Sequence, residues 1–356
     1  MKIAITADNH LTTLAKNPER FQALGNIYQQ CGEQGIQLLI IAGDLFDQSL
    51  ANYADFEELY QQSRPKDLTT IIIPGNHDET LCQGALAGDG VMVVSEPELK
   101  PLNDSRLILF LPFQDHHSMG EGIAPFAESL KGKRWILIGH GDWFGGHKAP
   151  DPYESGVYMP LTQPDLKRYQ PELAFLGHIH LPQNDGKVYY PGSPCPLNIT
   201  ETGLRRFLIL DTKQGEVSSH LVSSPLVNFD EQFLVIPGPN ELPSLKSAFQ
   251  NRIDGWELPP GWEDRVQVRV RIIGSSATSR EEIRSAAAEI FAHFRFYQDQ
   301  PPAMDDLVFS LDEDRAEITA QLQDWVDNLA WEPNPHQPDK TQILQEAIKI
   351  IYQVKS

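Results

Sequence analysis

Residues able to bind metal ions or move protons gather at five places in this chain. They are Asp8-Asn9-His10, Asp44-Leu45-Phe46-Asp47, Asn76-His77-Asp78, His140 and His178-Ile179-His180. Each follows a short apolar run. Asp-x-His on an extended backbone puts two side chains on one side, because Cβ direction alternates with period two. His178 and His180 share that spacing. Oxygen and imidazole donors together suit Mn²⁺, Fe, Zn²⁺ or Co²⁺ and suit Ca²⁺ poorly. So many donors exceed what one ion needs and fit two ions bridged by a carboxylate about 3.5–4 Å apart. Taken singly, Gly-Asp after a strand is an ordinary turn and Gly-His carries no message; the signal is the recurrence at successive strand ends.

The elements that must position these residues read as an alternating series. Lys2 to Ala7 is a strand, and a helix from Pro18 places Phe21, Leu24, Ile27 and Tyr28 on one face. Gln37 to Gly43 is a second strand, Tyr53 to Gln62 a second helix, and Ile71-Ile72-Ile73 a third strand ending in Pro74-Gly75. This β-α-β-α-β order predicts right-handed crossovers and a parallel sheet, with the chemistry at the carboxyl ends of the strands. Val91 to Val94, Arg106 to Phe113, Trp135 to Ile138, Leu173 to Leu176, Val188 to Tyr190 and Arg206 to Leu210 continue the strand pattern. The loop from Gly141 to about Pro164 is long enough for a lid, and its Trp143, Phe144, Tyr153 and Tyr158 could stack on bases or pack on one another.

Composition shifts after residue 225, where Pro237, Pro239 and Pro243 mark a boundary. Val266, Val268, Val270 and Ile272 alternate with polar residues, as in a half-buried strand. A helix starts at Ser279, with Glu282 completing a capping box, and Leu307 to Leu311 reads as a short strand. Two amphipathic helices follow. Ile318, Leu322, Trp325, Val326 and Leu329 share a face of the first. Ile343, Ala347, Ile350, Ile351 and Val354 share a face of the second. The expected organisation is 1–225, a catalytic domain; 226–311, a small α+β domain; and 312–356, a helical segment.

With 356 residues the chain can bury a substantial core. Its formal net charge of −20 argues against a broad basic face that grips nucleic acid unaided. Three cysteines (Cys31, Cys82, Cys195) have neither metal-ligand spacing nor the number for a disulfide framework. The strand pattern begins at Met1-Lys2-Ile3 and no apolar run reaches membrane length. A cytoplasmic protein with no membrane association is therefore expected.

The ordered set Asp-x-His, Gly-Asp-x-x-Asp, Gly-Asn-His-Asp, Gly-His and Gly-His-x-His resembles the calcineurin-like metallophosphoesterases over roughly the first 210 residues. Within that superfamily the chain most resembles the SbcD-type nuclease subunit of DNA double-strand-break repair. The narrower cues are Ala42-Gly43-Asp44-Leu45-Phe46-Asp47, Gly177-His178-Ile179-His180 and Tyr190-Pro191-Gly192-Ser193-Pro194, followed by a small second domain. The resemblance implies a four-layer α-β-β-α sandwich, a capping domain that binds DNA, and C-terminal helices that dock on the coiled coil of an SbcC-type ATPase. It implies two divalent ions, expected to be Mn²⁺. Asp8, His10, Asp44 and His180 would hold one ion; Asp44, Asn76, His140 and His178 would hold the other, with Asp44 bridging. His77 would contact the scissile phosphate and protonate the leaving oxygen, and Asp47 would orient His77 or shape the site beside it. The implied activity is 3′-to-5′ exonuclease and endonuclease action on DNA ends, and a homodimer is compatible with it. The rivals are a stand-alone phosphodiesterase or phosphatase for small substrates, and a non-catalytic scaffold subunit. The run Gln48-Ser49-Leu50-Ala51 and the pair Leu11-Thr12 depart from the bacterial pattern without touching a ligand.

Overall fold

The computed structural model describes residues 1–47, 53–103, 105–144, 156–310, 312–331 and 338–353. The expectations for residues 48–51 and for Tyr153 and Val354 lie outside the described residues.

In chain order, β1 (Lys2–Thr6) leads through α1 (Pro18–Glu33) to β2 (Leu38–Ala42), and α2 (Tyr53–Ser63) leads to β3 (Thr69–Ile73) and β4 (Val91–Val93). A second series follows: β5 (Glu98–Asn103), β6 (Arg106–Leu111), α3 (Met119–Ile123), α4 (Ala127–Leu130), β7 (Arg134–His140), β8 (Trp143–Phe144) and β9 (Leu161–Thr162). It closes with α5 (Gln163–Tyr169), β10 (Leu173–Gly177), β11 (Gln183–Asn184) and β12 (Val188–Tyr190), before β13 (Arg206–Asp211) and β14 (Glu216–Leu221). One six-stranded sheet runs β14-β13-β1-β2-β3-β4, and the other runs β11-β12-β10-β7-β6-β5. β1 to β4 are mutually parallel, as are β6, β7, β10 and β12, while β13, β14, β5 and β11 pair antiparallel.

The period-two alternation of the strands builds the layers. Ala4, Leu39, Ile41 and Ile72 face one way and pack with Phe21, Leu24, Ile27 and Tyr28 of α1 and Phe56 and Tyr60 of α2. Their neighbours Ile3, Ile5, Ile40, Ala42, Ile71 and Ile73 face the other way and meet Ile108, Phe110, Ile136, Ile138 and Phe175 of the second sheet. The opposite residues of that sheet, Leu109, Leu111, Trp135, Leu137 and Leu176, pack on Met119 and Ile123 of α3 and Leu166 of α5. Three apolar interfaces separate four layers, α-β-β-α. Strands buried on both faces read as unbroken apolar runs, which is why Ile71-Ile72-Ile73 shows no alternation in sequence.

The second compact unit comprises Asn198–Gly203 and Asn228–Ser356; the first comprises Met1–Leu197 and Leu204–Val227. From the end of the first unit, β15 (Val227–Val235) continues into α6 (Glu241–Asp254), β16 (Val266–Ser276), α7 (Arg280–Ile290), β17 (Arg295–Phe296), β18 (Leu307–Phe309), α8 (Glu313–Asp327) and α9 (Lys340–Gln353). Val266, Val268, Val270 and Ile272 of β16 are buried, and Ser279 and Glu282 form the capping box that starts α7. On the other face of β16, Arg269 and Arg271 both pair with Asp230, at 2.6 and 3.1 Å, so this face is a salt-bridged one. α8 and α9 pack on each other, and α9 packs on β16. The faces used differ from the expected ones: Val326, Leu344, Ile348 and Tyr352 are buried, while Trp325 is 78% and Ile350 68% exposed. Apolar spacing marks a stripe, but packing partners decide which part of it is covered.

Candidate metal centre

The carboxyl ends of β1, β2 and β3 in one sheet and of β7 and β10 in the other meet at one edge of the sandwich. Backbone bonds lock them together. The Asp8 N–H donates to the Gly43 carbonyl (3.1 Å), the His10 N–H to the Asp44 carbonyl (3.0 Å) and the Leu11 N–H to the Leu45 carbonyl (2.8 Å). Four of the expected ligands, Asp8, His10, Asp44 and His178, have positive φ angles of 54°, 45°, 51° and 95°. Asp and His tolerate this region better than most residues, yet each such residue costs of order 1–3 kcal/mol, a strain that clusters at functional sites.

The donor atoms converge. His10 Nε2 and His180 Nε2 stand 3.1 Å apart. His140 Nε2 lies 2.8 Å from Asn76 Oδ1 and 3.3 Å from Asp44 Oδ2. His178 Nδ1 lies 3.2 Å from Asn76 Oδ1, and His10 Nε2 lies 3.6 Å from Asp44 Oδ2. Donors bound at about 2.1 Å in neighbouring positions of one ion stand roughly 3 Å apart, so these separations fit metal coordination. Asp8 Oδ2 is buried with no hydrogen-bond partner, an arrangement that costs free energy unless a cation takes the lone pair. Asp8, His10 and His180 form one ligand cluster, and Asp8, Asp44 and His140 another. All seven expected ligands therefore meet at one edge, and the donor set fits two ions. His77 is brought there too, with its ring 4.7 Å from that of His10 and close enough to Asp44 to complete a third cluster. Asp47 lies at the rim, 3.8 Å from Arg20.

Burial and the close packing of charges move the ligands' titration in both directions. Burial raises the cost of charge on Asp44, but the facing imidazoles of His140, His10 and His77 outweigh it and hold its carboxyl well below the usual range. Burial also opposes charge on His140, yet Asp44 outweighs it and pushes the imidazole up. Burial pushes the His10 imidazole well down, leaving a neutral ring with a lone pair for a metal. Burial pushes the Asp8 carboxyl up, against the pull of His180 and His140. A bound cation would favour the ionised form of both carboxylates.

The support beneath the ligands is specific. His140 Nδ1 lies 2.9 Å from the Ala42 carbonyl, which fixes the tautomer and leaves Nε2 for the site. The His178 N–H donates to Asp8 Oδ1 (2.8 Å), and the His77 N–H donates to Asp44 Oδ1 (2.9 Å). Sequence reasoning assigned no role to Asp78. Its buried carboxylate accepts from the Gly75 N–H (2.7 Å) and the Phe46 N–H (3.1 Å), tying the β3 turn to the β2 turn. Its place beside Asn76-His77 was the available signal. Asp142 was also missed; it accepts from the Tyr158 N–H at 2.8 Å and lies 3.9 Å from His178 Nε2. Gly75 is required by crowding, since a Cβ there would sit 2.2 Å from Asp44 Oδ1.

The loop aromatics divide. Tyr158 lies beside His178, with ring centroids 4.7 Å apart. Trp143 is buried and donates to Asp185 at 2.9 Å, so it packs; Phe144 is exposed. His116 and His117 are exposed on their loop; His147 and His336 lie outside the described residues.

Comparison with known proteins bears on the first half of the chain. No curated protein shows significant sequence similarity to it. Among solved structures, it is similar to GAP50, the anchor in the inner membrane complex of Plasmodium. That likeness has 13% identity and a TM-score of 0.40, covering 63% of this chain and 89% of the other. It is similar to an archaeal phosphodiesterase at 14% identity and a TM-score of 0.33, covering 62% and 99%. A purple acid phosphatase from yellow lupin (Lupinus luteus) seeds gives 14% identity and a TM-score of 0.36, covering 62% and 52%. These likenesses carry no part of the assignment. The family model for calcineurin-like phosphoesterases matches residues 1–182, just over half of the chain and the span that holds every ligand named above. The chain belongs to the calcineurin-like phosphoesterase family and is a metal-dependent phosphoester hydrolase.

Proposed function

We propose that this hydrolase is an SbcD-type DNA nuclease that cleaves phosphodiester bonds with 3′-to-5′ exonuclease and endonuclease activity, using Mn²⁺. The observation that carries the reading is the Tyr190-Pro191-Gly192-Ser193-Pro194 segment in a phosphoesterase domain followed by a second compact α+β unit. Enzymes for small phosphoesters have less need of such a unit.

Asp8, His10, Asp44 and His180 would hold one ion, and Asp44, Asn76, His140 and His178 the other. When bound, the ions would supply Lewis acidity toward the phosphate oxygens and would lower the pKa of water enough to provide a nucleophile at neutral pH. The chain's own residues do the rest. Asp44 remains a carboxylate and anchors the backbone N–H of His77. That bond orients the His77 ring toward the phosphate, where it donates a proton to the departing alkoxide oxygen. Asp78 keeps the turn carrying Asn76 and His77 in register with Asp44. The net charge of −20 would repel a DNA backbone, so the ions and a partner must supply the attraction.

The partner in this reading is the coiled coil of an SbcC-type ATPase. Ile318, Trp325 and Leu329 of the α8 region and Ile350 of α9 are exposed apolar residues suited to helix-in-groove docking. Because α9 packs on β16, deleting residues 312–356 would uncover the second unit, and point changes on the exposed stripe are the cleaner probe.

The test is Mn²⁺-dependent digestion of end-labelled duplex DNA, with Asp44→Ala as control. Degradation lost in the variant supports the nuclease. Turnover of a small phosphodiester without DNA cleavage, even with the ATPase added, refutes it.

A further inference from the structure

Two arginines, which no catalytic role absorbs, hold the main chain of two of the ligands. Arg20, in the first turn of α1, donates from Nη1 to the His10 carbonyl at 2.6 Å. Arg205, only 1% exposed, donates from Nη1 to the His180 carbonyl at 3.0 Å. These are the two histidines whose Nε2 atoms face each other at 3.1 Å. The His180 carbonyl also accepts from the Ser193 N–H at 3.0 Å, so the Tyr190–Pro194 segment braces the same ligand. His140 is held instead by strand pairing of β7 with β10, opposite Gly177.

We infer that Arg20 and Arg205 are positioning residues that fix the His10 and His180 main chain and so set the affinity of one metal position, that of Asp8, His10 and His180, and not the other. A guanidinium near a cation site weakens it electrostatically, so charge alone does not account for a contact to a ligand's carbonyl. Arginine offers reach and donors in a fixed fork that can grip a carbonyl across a gap. His10 has a φ of 45°, a conformation its own sequence does not favour, and the Arg20 bond helps over-determine it. Groups that orient a ligand without touching the metal typically govern 10- to 100-fold in affinity.

This inference rests on the two-metal reading above. The test is calorimetric titration of the metal-free full chain with Mn²⁺, with thermal midpoints read in EDTA. The parent binds two ions; a parent that binds none or one overturns the two-metal reading and this inference with it. Arg20→Met keeps the packing of the stem and removes the donors. The expected result is a 10- to 100-fold loss at one position and less than a twofold change at the other. The position is identified in single-site backgrounds. In His140→Ala, the remaining ion should be weakened by Arg20→Met; in His10→Ala, it should not. Arg20→Lys, which retains a donor, should recover part of the loss. Equal weakening of both positions, or of neither, in a folded Arg20→Met overturns the inference while leaving the two-metal reading standing. Arg205→Met provides the second arm, with the same selectivity expected, and Arg205→Lys should recover part of its loss.

Discussion

Replacing Gly177 by alanine adds one carbon where the two sheets are in close contact beneath the metal centre. An ideal Cβ there would lie 2.0 Å from the Ala42 carbonyl oxygen, 2.6 Å from His140 Nδ1 and 3.0 Å from Ala7 Cβ. The carbonyl belongs to β2 of one sheet, and Gly177 ends β10 of the other. Neither can yield alone, because each is hydrogen-bonded into its own ladder. Overpacking of this kind costs about 1–3 kcal/mol. The Cβ also enters the space of the His140 Nδ1 to Ala42 contact, and a buried polar group left unpaired costs about 1–3 kcal/mol more. The expected destabilisation is therefore about 2–6 kcal/mol, a large fraction of a typical folding free energy. His140 would lose the contact that aims its Nε2, so metal affinity should fall roughly 10- to 100-fold in the molecules that remain folded. Urea denaturation in EDTA measures the first effect and calorimetric Mn²⁺ titration the second. Gly238→Ala is the control, since nothing lies within 4 Å of its Cβ position. Unchanged stability and unchanged affinity in Gly177→Ala would show that the sheet edges are not held as close as described.

Other outcomes follow from the same geometry. Asp44→Ala should abolish hydrolysis and metal binding together, whereas His77→Ala should abolish hydrolysis and keep the metal; loss of metal in His77→Ala, read by elemental analysis, would place that ring among the ligands. Burial pushes the Glu172 carboxyl up, but Arg106 and Arg134 outweigh it and hold it below the usual range. A group that titrates lower folded than unfolded contributes above its unfolded pKa and loses that contribution as pH falls. The stability gap between the parent and Glu172→Gln should then shrink on acidification from neutral pH toward pH 3, and a gap that widens would contradict the pairing. Trp325→Asp, on the exposed stripe, should shift stability by less than about 0.5 kcal/mol and leave hydrolysis unchanged, while eliminating capture of an SbcC-type coiled coil. Undiminished capture would move the partner site elsewhere.

Much of the site could be read from the chain because its chemistry obeys short-range rules. Asp8 and His10, or His178 and His180, are two residues apart, and each pair follows an apolar run that reads as a strand. The pairs do not lie on the extended backbone expected of them, for Asp8, His10 and His178 have φ of 54°, 45° and 95°. The capping box of Ser279 and Glu282 was equally local. The second tier was not legible. Arg20 and Arg205 act on ligands through bonds to main-chain atoms 10 and 25 residues away, and no periodicity announces such a partner. Element order gave β-α-β-α-β but not the insertion of β13 beside β1, which is set by antiparallel pairing across some two hundred residues. β15 and α6 escaped notice because the prolines around them read as a boundary. On α9 the periodicity was real, yet Leu344, Ile348 and Tyr352 were buried in place of Ile343, Ile350 and Ile351, since β16 rather than the stripe itself chose the face.

The division of the ligands between two sheets has a consequence for the life of the nascent chain. Asp8, His10, Asp44 and Asn76 belong to one sheet, and His140, His178 and His180 to the other. Neither sheet alone assembles the ligand set, and β13, which flanks β1, follows every ligand in the chain. A chain that lacks either sheet therefore cannot bring all seven donors together, however much metal surrounds it. Activity appears with the docking of the sheets, in one late and long-range step of the kind that folds slowly.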